Sequence, residues 1–248
     1  MNKAAVLNNI KKDYFSRQDL LSSAFDLYGD YTNTQLRYLV SKYIEHGEIV
    51  RVGHNCYAKA KVIKGKKTYS NQLSEEAEEV ISQVEKAYPF INFQVWELRW
   101  LNDFVNHLLA RNIIFLDVEN DGCEFVYSSL SEKFPGKILL RPTTKEMTYY
   151  STDNAVLIER LVSESPANSE NNHIASIEKI IVDLFANKTL MTLVSKGDYA
   201  DILENIFSKY QVDEKKMFRY ARRRNKEAEI REYINNNTDI KLISEERM

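Results

Sequence analysis

Hydrophobic residues recur every three or four positions through the first thirty residues, which predicts two successive helices. The first helix is predicted within residues 3–12. The second begins at Ser16, because Ser16 and Asp19 have the spacing of a capping box, in which each side chain accepts a hydrogen bond from the other residue's backbone. It continues to about Leu27. The residues predicted to be buried on this second helix are Leu20, Leu21, Ala24, Phe25 and Leu27.

A third amphipathic helix is predicted from Thr32 or Thr34 to His46, with Gly47 at the position where a left-handed cap costs least. Its buried stripe consists of Leu36, Leu39, Val40 and Tyr43. The opposite face carries amide, hydroxyl and cationic groups of the kind that contact base edges and phosphates. An ordinary solvated helix face is the alternative interpretation of these residues.

Two short runs rich in β-branched residues and tyrosine follow the third helix, Ile49–Val52 and Tyr57–Lys59, and Gly53–Cys56 is predicted to connect them as a turn. A helix followed by a two-stranded ribbon is the order found in a winged helix-turn-helix, which places a recognition helix and a wing on DNA. The sequence therefore predicts such a domain at residues 1–62, followed by a basic linker at residues 63–73.

From Ser74 onward, helical and strand-like segments alternate, which is typical of an α/β sheet domain. Strands are predicted at residues 90–96, 113–118, 137–142 and 155–162, and helices at residues 74–88, 98–112, 123–134, 173–187, 190–210 and 213–237. The predicted fold class is α+β: an N-terminal winged helix-turn-helix, then an α/β domain with a helical C-terminal part at residues 74–237. Residues 238–248 are predicted to form a flexible tail.

The charges are distributed unevenly along the 248 residues, although the net charge is only −2. Residues 1–72 contain 12 Lys/Arg and 6 Asp/Glu, whereas the remaining residues contain 22 basic and 30 acidic side chains. A basic N-terminal part followed by an acidic remainder suits a nucleic-acid-binding module joined to a part with a different partner. Chance clustering of solvated charges is the alternative.

The sequence predicts a cytoplasmic protein that does not enter a membrane. It contains no apolar run of the ~18 residues that a membrane span needs, and its N-terminus has no signal-peptide hydrophobic region. The two cysteines, Cys56 and Cys123, have no framework spacing and are predicted to be reduced thiols.

Motifs that carry chemistry are largely absent, so no catalytic residue, metal ligand or cofactor is predicted. The histidines and cysteines lack metal-site spacing, and the common phosphate-binding glycine loops do not occur. Asp117 and Glu119 end a predicted strand, where paired acids hold Mg²⁺ in some nucleases and nucleotidyltransferases. A solvated strand end is the default interpretation. Glu178 and Asp183 are interpreted as polar-face or buried-network residues.

A second basic patch lies near the C-terminus at Arg222–Arg224 on a predicted helix. It could contact DNA, RNA or an acidic protein surface. A charged outer face, with the arginines paired to Glu227 and Glu229, is an equally good interpretation.

The combination of the run VRVGHNCYA that ends the predicted winged helix, LVSESP, IEKIIVDLF and MFRYARRRNK resembles the AbiEi-type antitoxin/transcriptional regulator family of abortive-infection, type IV toxin–antitoxin systems. The resemblance extends in order over roughly residues 5–235. One departure is the absence here of the Gly-x-Tyr-x-Pro motif that many members carry after the wing.

The resemblance implies a non-enzymatic antitoxin that represses its own operon and counteracts a nucleotidyltransferase-like toxin in phage defence. Its expected partners are promoter DNA with repeated sites and the cognate toxin, with the chain a monomer in solution or a weak dimer. The predicted DNA-binding residues are Thr34, Gln35, Arg37, Tyr38, Ser41, Lys42, Arg51, His54 and Lys59. Two alternatives remain open: a degenerate nuclease or nucleotidyltransferase-like enzyme using Asp117 and Glu119, and a protein-interaction module without specific DNA binding.

Overall fold

The fold is mixed α+β with two separate sheets, in a computed structural model that describes residues 3–53, 55–60 and 66–242. The chain forms two compact units. Unit 1 comprises Met1–Lys67 with the short segments Asp213–Lys215 and Leu242–Met248. Unit 2 comprises Thr68–Val212 and Lys216–Lys241.

In its described ranges, unit 1 includes the three helices named below and a three-stranded antiparallel sheet with the strand order β1-β3-β2. Strand β1 was not predicted; it pairs with β3 through Tyr14 and Ala58. Gly53 and Cys56 are paired with each other, so the connection between β2 and β3 is shorter than the predicted four residues. The elements are α1 (Lys3–Asn9), β1 (Tyr14–Ser16), α2 (Arg17–Tyr28), α3 (Asn33–Glu45), β2 (Ile49–Gly53) and β3 (Cys56–Lys59).

Two capping boxes fix the starts of α2 and α3. The Ser16 hydroxyl accepts from the Asp19 backbone N–H at 3.0 Å, and the Asp19 carboxylate accepts from the Ser16 N–H at 2.6 Å, as predicted. Thr32 and Gln35 form the same arrangement, with the Gln35 side-chain oxygen 2.8 Å from the Thr32 nitrogen. Helix α3 therefore has Thr32, rather than Thr34, as its N-cap residue.

The predicted apolar stripe of α3 is confirmed: Leu36, Leu39 and Tyr43 are buried, and Val40 packs at the edge of the same core. The prediction for α2 was wrong for Phe25 and Leu27, which are 56% and 42% exposed. The buried face of α2 contains Leu20, Ser23 and Ala24, and the Ser23 hydroxyl donates to the Val6 carbonyl of α1. Phe25 lies about 100° around the helix from Ala24, and Leu27 lies in the last turn.

Unit 2 is built on a four-stranded sheet with the order β4-β5-β7-β6. Strand β4 is antiparallel to β5, whereas β5, β7 and β6 are mutually parallel, as in an α/β sheet with crossover helices. Every residue of β5 is buried, including Asp117 within its otherwise apolar run. The strands are β4 (Phe93–Glu97), β5 (Ile113–Val118), β6 (Ile138–Leu140) and β7 (Ala155–Arg160).

Six helices were predicted for unit 2, and eight α-helices are found among its described residues. The helix predicted at residues 190–210 is divided into Leu190–Leu193 and Tyr199–Lys209. The helix predicted at residues 213–237 is two helices, separated near Asn225, which has a φ of 55°. A short helix at Thr144–Tyr150 was not predicted. The helices are α4 (Glu75–Ala87), α5 (Cys123–Lys133), α6 (Thr144–Tyr150), α7 (Ile177–Ala186), α8 (Leu190–Leu193), α9 (Tyr199–Lys209), α10 (Glu214–Arg223, which begins in residues of unit 1) and α11 (Glu227–Asn237).

The helix predicted at residues 98–112 was wrong beyond its first turns, because the chain forms only a 3₁₀ helix at Leu98–Asp103. Asparagine side chains replace the helical hydrogen bonds. Asn102 accepts from the backbone N–H of Leu109 at 2.9 Å, and Asn112 accepts from that of Arg99 at 3.1 Å. Asparagine competes with helical backbone pairing in this way.

Among the described residues, no helix is both long and apolar enough to cross a membrane.

Candidate functional site

Two groups of residues are candidates for function: the outer face of α3 in unit 1 and a buried charge cluster in unit 2. On α3, the side chains of Thr34, Arg37, Tyr38 and Ser41 are exposed. Within the part of the chain that the structure describes, the Arg37 guanidinium has no hydrogen bond or ion pair to another residue. This face therefore presents a free cation between hydroxyl-bearing side chains.

Gln35, Lys42 and Lys59, which were also predicted to bind DNA, make contacts within unit 1. Gln35 caps α3 through its oxygen, which leaves its amide N–H groups as donors. Lys42 forms an ion pair with Glu45 at 2.6 Å and lies 5.9 Å from the centre of the Tyr38 ring. Lys59 is half-buried, and its ammonium donates to the Ile10 carbonyl at 2.5 Å, so it links β3 to the segment after α1.

The two remaining predicted residues belong to the β2–β3 hairpin. Arg51 is an exposed residue of β2. His54 lies outside the described residues. Neighbouring Asn55 has a φ of 55°, a left-handed conformation suited to a tight hairpin connection.

The second candidate is a cluster of charges in unit 2. From the sequence, Asp183 was interpreted as a polar-face or buried-network residue, whereas Asp117 and Arg224 were considered for other roles. The Lys179 ammonium on α7 lies 2.6 Å from Asp117 of β5 and forms a second ion pair with Asp183, one helical turn further along α7. Lys179 and Asp183 are each 1% exposed. Burial alone lowers the pKa of Lys179, but Asp117 and Asp183 outweigh burial and raise it well above its ordinary value. The ammonium therefore remains charged.

Two side chains, Tyr220 of α10 and Arg224 directly after it, form the remaining hydrogen bonds to Asp183. Arg224 donates to one oxygen of that carboxylate at 2.9 Å, and the Tyr220 hydroxyl donates to the same oxygen at 3.1 Å. Arg224 also lies 2.8 Å from the Tyr220 hydroxyl. Both Asp183 oxygens are thus paired, one by Lys179 and the other by Arg224 and Tyr220, and α7 is joined to the end of α10.

Glu159 is the third carboxylate of this cluster, since it is the residue of β7 directly opposite Asp117 of β5. Its carboxylate accepts from the Asn187 amide at 2.5 Å and from the Thr189 hydroxyl at 3.2 Å. Burial, followed by the charges of Asp117 and Asp183, raises the pKa of Glu159 from 4.5 to about 7. Burial also raises the pKa of Asp117, although Lys179 opposes this effect.

The basic run Arg222–Arg224 is divided among different environments. Arg224 is largely buried against Asp183, whereas Arg222 is exposed and bonds to Glu227 at 2.9 Å. Arg223 donates to the Ser163 hydroxyl at 2.5 Å. Of the two partners predicted for this run, Glu227 therefore pairs with Arg222, whereas Glu229 pairs with Lys226.

Asp117 and Glu119 have different partners. Asp117 is buried on Lys179, whereas Glu119 accepts from the Asn92 amide at 3.0 Å close to the surface. In the described ranges, no group of three or more histidine, cysteine, aspartate or glutamate residues is arranged to hold a metal ion.

Replacing Lys179 with methionine should strongly destabilise unit 2, because Asp117 and Asp183 would be left buried without their shared cation. Breaking a buried pair on one side costs roughly 3–5 kcal/mol. Urea unfolding followed by the fluorescence of Trp96 and Trp100, both within unit 2, measures the loss. Lys188→Met is the matched control, since Lys188 is exposed and its loss should cost less than about 0.5 kcal/mol. Equal unfolding midpoints for wild type and Lys179→Met would contradict the assigned role.

Glu159 should make unit 2 less stable as the pH rises from 5 to 8. Its pKa is raised in the folded state, so the folded chain binds more protons than the unfolded chain between pH 4.5 and about 7. That stabilisation is complete below pH 4.5 and is lost as the pH passes through about 7. The shift corresponds to about 3 kcal/mol.

The measurement is the same urea titration at pH 5, 6, 7 and 8 with wild type and Glu159→Gln. The difference between them should change with pH in this window, whereas Glu164→Gln, which removes an exposed carboxylate, should follow the wild type. Parallel pH profiles for wild type and Glu159→Gln would refute the prediction.

Comparison with known proteins gives one family and a weak structural likeness. No curated protein matches the chain. A crystal structure of the RV2827C protein from Mycobacterium tuberculosis is 8% identical, covers 95% of this chain and 80% of its own, and has a TM-score of 0.24, too low to support an argument. The model of a family of unknown function, DUF6577, matches residues 35–240. The match includes most of the chain, which therefore belongs to the family DUF6577.

Proposed function

We propose that the chain is a DNA-binding regulator and antitoxin, with unit 1 a winged helix-turn-helix that binds promoter DNA. The observation that carries the DNA-binding part is the outer face of α3. It exposes Thr34, Arg37, Tyr38 and Ser41, and the Arg37 guanidinium has no protein partner among the described residues. An arginine can donate two parallel hydrogen bonds to guanine or to a phosphate.

The position of the hairpin in the chain supports the same function. Helix α3 leads through Gly47, with a φ of 65°, directly into β2, and the Glu48 backbone N–H donates to the Tyr43 carbonyl at 2.9 Å. The β2–β3 hairpin is thus held at the end of the proposed recognition helix. Arg51 of this hairpin is exposed and suits a wing contact to the phosphate backbone.

The antitoxin part of the proposal rests on the resemblance carried by EKIIVD and RYARRR. In unit 2, these motifs contribute Lys179, Asp183, Tyr220 and Arg224 to the buried cluster. Their buried residues therefore stabilise unit 2 and do not form a surface for a toxin. The proposed neutralising surface lies on the exposed residues that this cluster supports.

Replacing Arg37 with alanine should weaken binding to the promoter upstream of the operon. If Arg37 contacts a base, the loss is ~1–3 kcal/mol, or about 5- to 150-fold in Kd. Glu45→Gln should bind at least as tightly as the wild type, because it removes a negative charge and releases Lys42 from its ion pair. Lys188→Ala controls for the loss of one positive charge. Fluorescence anisotropy at several salt concentrations is the measurement, and equal affinities for wild type and Arg37→Ala would exclude α3 as the recognition helix.

Neutralisation of the toxin should be independent of Arg37. We expect the full-length chain to restore growth when co-expressed with a nucleotidyltransferase-like protein encoded beside it. Arg37→Ala should restore growth to the same extent while failing to repress a promoter reporter. Lys179→Met should lose protection, because the cluster that supports unit 2 would be broken. Toxicity that persists with the wild-type chain would remove the antitoxin part and leave the DNA-binding part intact.

A further inference from the structure

Unit 2 contains a cavity of about 770 Å³ beside the carboxyl ends of strands β5 and β7. Its walls come from the segments 92–94, 119–120, 160–165 and 172–173 and from Arg223 of α10. Residues 119–120 and 160–165 lie at the carboxyl ends of the parallel strands β5 and β7. Ligands of open α/β sheets bind at this end of the strands, and the volume lies within the ~300–1,000 Å³ of small-molecule pockets.

Two arginine side chains line this cavity. Arg160, the last residue of β7, is exposed, and its guanidinium has no hydrogen bond or ion pair among the residues that the structure describes. Arg223 uses one N–H group on the Ser163 hydroxyl, at 2.5 Å, of the five that a guanidinium carries. Both side chains thus have donors available for an anionic ligand.

Two further arginines contact residues of the cavity wall. Arg219 lies 3.8 Å from the Glu164 carboxylate, and Arg141 donates to the Asn120 side-chain oxygen at 3.2 Å. The lining itself contains two arginines, Arg160 and Arg223, and two carboxylates, Glu119 and Glu164. Glu164 lies against Arg219 and Glu119 accepts from the Asn92 amide, so both carboxylates are partnered. The Arg160 guanidinium is the charged group that still has its donors available, which favours an anionic ligand at this position.

Two residues with a strained backbone conformation also lie at this cavity. Five non-glycine residues in the described ranges have positive φ, and three of them are asparagines, which tolerate this conformation. The other two are Glu164, with a φ of 64°, and Arg141, with a φ of 44°. One lines the cavity and the other bonds to its wall. Strained backbone in non-glycine residues concentrates at ligand sites.

Two aromatic rings, those of Phe93 and His173, also line the cavity. His173 stacks on Phe93, with ring centres 4.0 Å apart and planes inclined by 13°. The imidazole is also placed by the Phe93 carbonyl at 3.2 Å and by Glu85 at 3.5 Å. A partly exposed flat ring offers a stacking surface to a nucleobase.

We propose that this cavity binds a nucleotide, with its phosphates on Arg160 and Arg223 and its base toward His173. The volume exceeds what a phosphate ion alone would occupy, and the arginine forks match phosphate oxygens. The Ser165 hydroxyl donates to the Gln94 side-chain oxygen at 2.7 Å, and the Gln94 amide donates to the Ser165 carbonyl at 3.2 Å, so the loop after β7 is bonded to β4. The site lies within unit 2 and does not depend on DNA binding by unit 1.

Isothermal titration of the full-length chain with ATP, GTP, CTP and UTP in turn tests this site. Adenosine and inorganic pyrophosphate serve as probes of the base and of the phosphates alone. Arg160→Gln should raise the Kd of the best nucleotide about ten-fold or more, the effect of losing hydrogen bonds to a charged group. Arg160→Lys, which keeps the charge and loses the fork, should raise it less. Arg222→Gln is the matched control, because Arg222 is the neighbour of Arg223 and pairs with Glu227 instead.

Tryptophan fluorescence in urea should show the same unfolding midpoint for Arg160→Gln, Arg222→Gln and wild type, since both replaced side chains are exposed. Three results would overturn the site: no binding of any nucleotide, equal weakening by Arg222→Gln, or weakening by Arg37→Ala with none by Arg160→Gln, which would place the nucleotide on unit 1. Pyrophosphate that binds as tightly as the best nucleotide would overturn the role given to the base.

Discussion

The structure of unit 2 depends on one buried ammonium group, that of Lys179, held between two carboxylates from different elements. Asp117 belongs to the central strand β5 and Asp183 to helix α7, so the ion pairs fix the helix against the sheet. Removing charges from water is expensive, and each buried charge needs a partner of opposite sign. Two cations, Lys179 and Arg224, oppose three carboxylates here. The raised pKa of Glu159, about 7, reduces this imbalance, because below that pH Glu159 binds a proton and the cluster is neutral.

The buried cluster also positions side chains at the surface of unit 2. Arg224 forms an ion pair with the buried Asp183, and this contact fixes the end of α10. The preceding turns of α10 then place Arg219 beside Glu164 and Arg223 beside Ser163 at the cavity. Asp117 and Glu159 stand one residue before the ends of β5 and β7, and the next residue of β7 is Arg160. In β7, Glu159 of the buried cluster is thus followed directly by Arg160 of the cavity, and at the end of α10 the cavity residue Arg223 is followed directly by Arg224 of the cluster.

Local patterns in the sequence predicted much of unit 1, since helix periodicity and capping are properties of neighbouring residues. The apolar stripe of α3 and the Ser16–Asp19 capping box needed no knowledge of distant segments. Strand β1 was not predictable in this way, because Tyr14–Ser16 becomes a strand only by pairing with β3, some forty residues later. The same limit applies to Lys59, whose ammonium is occupied by the Ile10 carbonyl.

The candidate sites of unit 2 were less accessible to sequence reasoning, because charge type alone does not reveal burial. One signal was present: Lys179 and Asp183 are one turn apart on a helix whose other residues are mostly apolar, a pattern that favours a buried pair. No such signal distinguishes Arg222, Arg223 and Arg224, which follow one another in the chain. Successive residues point about 100° apart on a helix or its end, so each meets a different neighbour: Glu227, Ser163 and Asp183. The run of three arginines is therefore not a single basic patch. Of the three, Arg223 lines the cavity and keeps donors available for a ligand.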